Sequence, residues 1–414
     1  LAVYSPSLSE EKAVVSSLLH GFSPVRPAGV GGLLALAFAL ACSSASATDR
    51  LVWIGASAGT PRIDGIYAAR FDDAAGTLSP PTRVAAVLNP CWLEVHPTLP
   101  VLYAAAAIAE GGRIESYAID PSTGGLEPLG KLPGVATSLA VDPAGKRLFA
   151  GVELRSAVQC YGIADDGLPQ AGVKNSRVDQ RVEETDKERR KQPGYYRARQ
   201  EAPFAAAVAS SADGRFVIAC DLGLDRLFVH AADTTQPTLA AHSKTEVGVG
   251  HGPRRFAWHP TGRFGYVANE LDNSVTALAF DPQAGTLAVI ETVSTLPADV
   301  DKSFRGRLWD QRTFAMDVAM HPAGGHLYVA NAGHDSVATF SIDPATGKPT
   351  FVATQPTKGK HPVVIAVAPG GRHLLVATHR SGGVEVMAID DTTGRLSATK
   401  ATAEIPAPAC IRFR

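Results

Sequence analysis

The chain has 414 residues, 45% hydrophobic and 19% charged, with a formal net charge of -1. That composition supports a large buried core and excludes wholesale disorder. A balance so close to neutral also argues against a nucleic-acid partner, which normally meets a basic face that releases counterions from phosphates.

In chain order, residues 1–47 read as an N-terminal extension and signal peptide. Arg26 precedes the apolar run GVGGLLALAFALAC, and Ala45, Ser46 and Ala47 supply the small residues of a cleavage site. The apolar core from Val30 to Ala41 is too short to span a bilayer, so no transmembrane span is expected. The mature chain is then expected to begin near Thr48 in a periplasmic or secreted location, with a lipoprotein acylated on Cys42 as the alternative.

From residue 48 onward the sequence repeats itself. Pro-x-Gly-like turns followed by apolar runs recur as VDPAGKRLFAG, SSADGRFVIAC, WHPTGRFGYVA, MHPAGGHLYVA and VAPGGRHLLVA, with VHPTLPVLYAA a copy without the glycine. Their turn glycines, Gly145, Gly214, Gly262, Gly324 and Gly371, are spaced 69, 48, 62 and 47 residues apart. The basic unit is therefore about 47 residues long, with insertions near 171–202 and 297–313. A second marker, a strand ending in Asp before a Gly-containing turn (ARFDDAAGTL, YAIDPSTGGL and their later copies), brings the count to seven units.

Each unit holds four short apolar or alternating runs, as in Cys91 to His96, Val101 to Ala106, Ile114 to Ile119 and Leu126 to Leu132. The pattern predicts an all-β, seven-bladed propeller of four-stranded blades over 48–414. Because the repeat starts on a second-strand run, LVWIGA, and stops on a first-strand run, PACIRF, the two ends are predicted to share one composite blade. The Gly-His and Trp-Asp signatures of a WD40 array are missing; of the four tryptophans only Trp309 precedes Asp.

Three blocks, DLGLDRLFVH, GHGPRRFAWHPTGRFGYVANELDNS and NAGHDSVATFSIDPATG, make the chain resemble the propeller-type 6-phosphogluconolactonases and the related 3-carboxymuconate lactonising enzymes, from Leu51 to Phe413. The resemblance implies a lactone-opening site at one mouth of the central channel and no metal or organic cofactor. It places a channel arginine at Arg254 and a carboxylate at Glu270. It also exposes departures. The two histidine positions of one first strand hold Phe204 and Ala206, the histidine after the channel arginine is Arg255, a glutamate is shortened to Asp317, and the arginine before Gly-His-Asp is Ala332.

A lactonase needs a base for water and donors for the charge that develops on the carbonyl oxygen. Glu270 is the candidate base and Arg254 the candidate electrophilic residue, with Arg255, Asp317, Arg199, Phe204 and Asn331 as candidate substrate-binding residues. The other reading of Glu270 and Arg254 is an ion pair that merely lines the channel. The expected ligand is a small lactone or an anion bound by a monomer. A propeller that has lost catalysis and binds a small anion or a protein loop is the alternative, and a cyclase acting on muconate-like diacids is a third reading.

Several other features favour structural roles. Cys91, Cys160, Cys220 and Cys410 sit in apolar runs without CxxC spacing and are expected as buried free thiols. His96, His259 and His321 recur on the same turn of different units and are expected to cap turns. The GHDS run at His334 to Ser336 is expected to bond between blades. The charged segment Lys174 to Arg199 is read as a solvated insertion, with a cationic lid over the mouth as the second reading. Arg305, Arg307 and Trp309 of the later insertion could frame the same mouth.

Overall fold

The computed structural model describes residues 49–58, 64–106, 112–152, 156–300 and 312–414. The leader-like residues 1–47, Cys42 among them, and the trio Arg305, Arg307 and Trp309 therefore lie outside the described residues.

Seven antiparallel sheets form the blades. The composite first blade pairs Pro408–Phe413 with Asp49–Ala56 and continues through Gly65–Asp72 to the outer segments Thr77–Leu78 and Thr82–Ala85. Blade two runs Pro90–Val95, Val101–Ala106, Arg113–Ile119 and Leu126–Pro133, within a residue or so of the boundaries expected from its sequence. The innermost strands of the remaining blades are Ser138–Val141, Ala205–Ser210, Pro253–Trp258, Phe314–Met320 and Pro362–Val367. Each innermost strand touches the next around the ring, and the last touches Pro408–Phe413, so no sheet stands apart.

The strand sequences explain the layering. Second strands such as Val101–Ala106 and Phe264–Asn269 are buried throughout, because they lie between neighbouring blades. Outer strands such as Leu126–Pro133 bury one face at most and carry polar residues on the other. Apolar clusters fill each gap between blades, for example Tyr266, Val275, Val329 and Phe340 between blades five and six. All four cysteines from Cys91 onward are buried free thiols.

Histidines latch successive blades. His96 accepts the Leu99 N–H on Nδ1 at 2.9 Å, and its Nε2 bonds the Gly145 carbonyl of blade three at 2.8 Å. His259 and His321 repeat the contact to Gly324 and Gly371 at 3.2 and 2.8 Å. In each ring Nδ1 accepts a backbone N–H, which leaves Nε2 to face the neighbouring blade's carbonyl. At Gly324 a glycine is required twice over: φ is +78° and a Cβ would lie 2.6 Å from the His259 ring.

The first insertion is largely exposed, as its charge suggested, yet it is anchored at a few buried residues. It supplies the outer strand of blade three, Arg177–Asp179, and two short helices, Glu184–Arg189 and Arg197–Gln200. Asp186 is buried and meets Arg226, itself 1% exposed, at 2.8 Å. Arg226 also pairs with Glu246 at 3.1 Å. The Asp186–Arg226 pair docks the insertion onto blade four because a guanidinium so deeply buried requires partners.

Candidate active site

The innermost strands share a device that aims side chains at the mouth. In six blades the register between first and second strand skips one residue: Cys91, Ala206, Arg254, Met316, Val363 and Ala409. Such a bulge bends the strand and redirects its side chain. Of the six, Arg254 alone is charged.

Arg254 meets Glu270, which stands just past the end of the second strand Phe264–Asn269 of the same blade. Glu270 is 2% exposed, and its N–H donates to the Gly252 carbonyl at 2.8 Å. Arg254 Nη1 donates to Glu270 Oε2. The short helix of the insertion brings Arg199 in from another direction, with Nε donating to Oε1 at 2.9 Å and Nη2 to Oε2 at 3.1 Å. Burial works against the Glu270 charge, but the fields and hydrogen bonds of Arg254 and Arg199 outweigh it and hold the carboxyl below its usual range. It is a carboxylate at neutral pH. Arg254 Nε is buried and has no hydrogen-bond partner among the described residues.

Phe204 forms the apolar side of this cluster. Its ring lies 5.1 Å from the Arg199 guanidinium carbon and packs with Tyr196, Ala206, Leu222 and Leu271. Its N–H is held by Asp221 at 2.9 Å. The helix carrying Arg199 is fixed by Gln200, whose side chain accepts the Tyr196 N–H at 2.9 Å and donates to the Leu222 carbonyl at 3.0 Å.

Arg255 and Asp317 sit one register step beyond the bulges, as does Trp92 in blade two. Arg255 is 9% exposed and places its guanidinium carbon 4.2 Å from the centre of the Trp92 ring, although blades two and five are not neighbours. Arg412 of the composite blade lies 4.5 Å from the same ring and donates to Glu94 at 3.3 Å. Together they form a cationic and aromatic bridge across the channel. Burial, then the charge of Arg254, pulls the Arg255 pKa down to about 10, so it stays charged at neutral pH. Burial raises the Asp317 pKa against the opposing pull of Arg255 and Arg412, and its Oδ2 accepts the Ile365 N–H of blade seven at 2.9 Å.

Thus Glu270, Arg254, Arg199 and Phe204 converge, while Arg255 and Asp317 lie deeper. Asn331 is elsewhere: fully buried, it donates to the Thr295 carbonyl at 2.9 Å and ties blade six to blade five. Ala332 is also fully buried, against Phe314, Met316 and half-buried Val363. The neighbouring Gly-His-Asp-Ser run bonds between blades as expected, for Asp335 holds Lys360 and the His361 N–H of blade seven. Trp92, Glu94 and Arg412 escaped the sequence reading. Aligning the first strands on their bulges would have found them, since Glu94 and Arg412 each stand four residues after an initial proline.

Among the described residues, no group of three or more His, Cys, Asp or Glu side chains is placed to hold a metal ion. No helix among them is long and apolar enough to cross a membrane.

Comparison with known proteins agrees with this architecture. The family model described as lactonase, 7-bladed beta-propeller, matches residues 52–413. The 6-phosphogluconolactonase of Bacillus subtilis (strain 168) is 28% identical over 354 residues, covering 84% of this chain and 94% of that protein. The 6-phosphogluconolactonase of Formosa agariphila is 25% identical over 311 residues, 72% of this chain and 80% of its own. Among solved structures, the periplasmic gluconolactonase of Pseudomonas aeruginosa superposes with a TM-score of 0.77 at 27% identity, covering 88% of this chain and 99% of that one. With its seven four-stranded blades and the family match across nearly all of them, the chain belongs to the seven-bladed β-propeller lactonase family.

Proposed function

We propose that the chain is a lactone hydrolase that opens a sugar-type or carboxylate lactone with water at the Arg199–Arg254–Glu270 cluster. The observation that carries this reading is a buried carboxylate, ionised at neutral pH, held by two guanidiniums that reach it from different parts of the chain. The Arg254 guanidinium polarises the lactone carbonyl and takes the charge that develops on its oxygen. Glu270 receives the proton of the attacking water, and the ring oxygen takes that proton as the acyl C–O bond breaks. The product is the open hydroxy acid. Two arginines weaken Glu270 as a base, but a lactone already hydrolyses in water without help, so the barrier left to lower is small.

The relatives named as 6-phosphogluconolactonases and the gluconolactonase support the reaction class. The leader-like residues 1–47 and the periplasmic relative support a location outside the cytoplasm. Recovery of the full-length protein only in the cytosolic fraction would refute that location.

The activity is tested by pH-stat hydrolysis of gluconolactone and 6-phosphogluconolactone, comparing the protein with Glu270→Gln. The expected result is a rate well above buffer that falls by about 100-fold or more in the variant. Equal rates in protein, variant and buffer would instead identify a binding propeller.

A further inference from the structure

The Glu270 cluster is assembled from two separate pieces of chain. Arg199 arrives on the insertion, whereas Arg254 and Glu270 follow the glycine-rich turn 248–252 of blade five. Two pieces that share no strand pairing need a common anchor to converge on one carboxylate.

Asp225 occupies that place. It is 2% exposed and stands in the turn between the second and third strands of blade four, Phe216–Asp221 and Arg226–Ala232. Its Oδ2 accepts the Gly250 N–H at 2.8 Å and its Oδ1 the Gly252 N–H at 2.7 Å. The Gly252 carbonyl in turn accepts the Glu270 N–H at 2.8 Å, and the His251 carbonyl accepts the Leu271 N–H at 3.0 Å. Gly252 therefore hangs between Asp225 and the backbone of Glu270, two residues before Arg254.

The same carboxylate holds the insertion. Arg189 Nη2 approaches Oδ2 at 3.6 Å from the first insertion helix, and the Gln200 side chain hydrogen-bonds the group from the second, one residue from Arg199. At Gly250 the two pieces touch directly: φ is +77° and a Cβ would collide with the Gly194 carbonyl oxygen, so no side chain fits between them. The chemistry explains the residue type. Two backbone N–H groups and two side-chain donors need an acceptor with two free oxygens, which aspartate offers and asparagine, with its NH2 group, does not.

We propose that Asp225 is a positioning residue of the reaction centre: by holding the 250–252 turn and the insertion on one carboxylate, it sets how Arg199 and Arg254 meet Glu270. It touches no substrate and acts through the residues it holds. Its effect on rate rests on the lactonase reading above, whereas the anchoring is measured without turnover.

The test compares the full chain carrying Asp225→Asn with a control, Asp142→Asn. Asp142 is a buried acid of blade three that accepts the Lys146 and Arg147 N–H groups at 2.7 and 2.8 Å and pairs with Arg147 at 2.9 Å, so its loss removes the same kinds of contact in another blade. Hydrogen exchange is read by mass spectrometry on peptides spanning 195–200 and 248–254. The expected result is exchange at least about tenfold faster in both segments of Asp225→Asn and in neither segment of the control. Faster exchange in one segment alone, or in none, would overturn the anchor. Should Asp225→Asn not fold, Arg189→Met is read on the same two peptides: faster exchange in both supports the shared hold, and any other pattern overturns it.

In pH-stat hydrolysis of gluconolactone, kcat of Asp225→Asn is expected to fall at least about tenfold with a smaller change in KM. Burial opposes the Glu270 charge and the two arginines sustain it, so loosening them is expected to move the acid limb of kcat up by about half a pH unit or more. A role in stability alone would scale the rate at every pH and leave the limb in place, which would overturn the positioning role. If the parent does not hydrolyse the lactone, the hydrolase reading fails and the exchange measurement still decides the anchor.

Discussion

At the residue scale, this fold tolerates side chains whose protonation is costly. His230 is 1% exposed, and neither ring nitrogen has a hydrogen-bond partner among the described residues. Burial lowers its pKa from 6.5 to about 4. As pH falls through 6.5 the unfolded chain binds a proton that the folded chain refuses, so stability declines until about pH 4 and the decline then stops. The loss is on the order of 3 kcal/mol. Asp221 and Asp272, both raised to about 6 by burial, act in the opposite sense over the same window, so the effect must be read as a difference. His230→Leu is expected to lose less stability than the parent between pH 7.5 and 4.5 in urea unfolding. Equal losses would contradict it.

Residue identity was also where the sequence served the site least well. Arg254 and Glu270 were legible because the family resemblance carries a channel arginine and a carboxylate at their positions. The choice of Asn331 went wide of the cluster because a strand's periodicity does not tell which neighbour an amide will bind. Ala332 was legible as a missing arginine, but its enclosure by Phe314, Met316 and Val363 was not. Phe314 pairs directly with Ala332 within blade six and Met316 lies on the same strand, while Val363 comes from the next blade, so the enclosure depends on strand register and blade packing.

At the scale of elements, the strands were legible almost to the residue and the insertion was not. Strand boundaries follow from alternating burial and turn glycines, which are local signals. The insertion is ordered by long-range ion pairs, and composition reads those charges as solvated. Removing one partner exposes the difference. Asp186→Ala leaves Arg226 buried with less compensation and is expected to cost about 3 kcal/mol. Because the same insertion carries Arg199, the variant is also expected to lose lactone hydrolysis more than a surface control such as Glu188→Ala does. Thermal unfolding and pH-stat rates measured together check both effects, and a variant with parental stability would show that the pair does not dock the insertion.

At the scale of the molecule, the seven-unit count and the shared terminal blade were both written in the repeat. Pro408–Phe413 pairs along Asp49–Ala56 and supplies buried Cys410 and Ile411 to two different core clusters. Deleting residues 408–414 is expected to open the ring, leave an unpaired edge and drive aggregation. Size-exclusion chromatography of the truncated chain checks this, and a compact, soluble product would refute it.

The bridge of Arg255, Trp92 and Arg412 gives the ring a further property. A propeller channel is in principle a tunnel with two doors, but one obstructed midway by stacked side chains becomes a cul-de-sac. On the proposed hydrolase reading, a lactone that enters at the Glu270 side would have to depart as the hydroxy acid through the same doorway. Substrate and product then take turns, and a polymer cannot be threaded through the ring and processed from end to end.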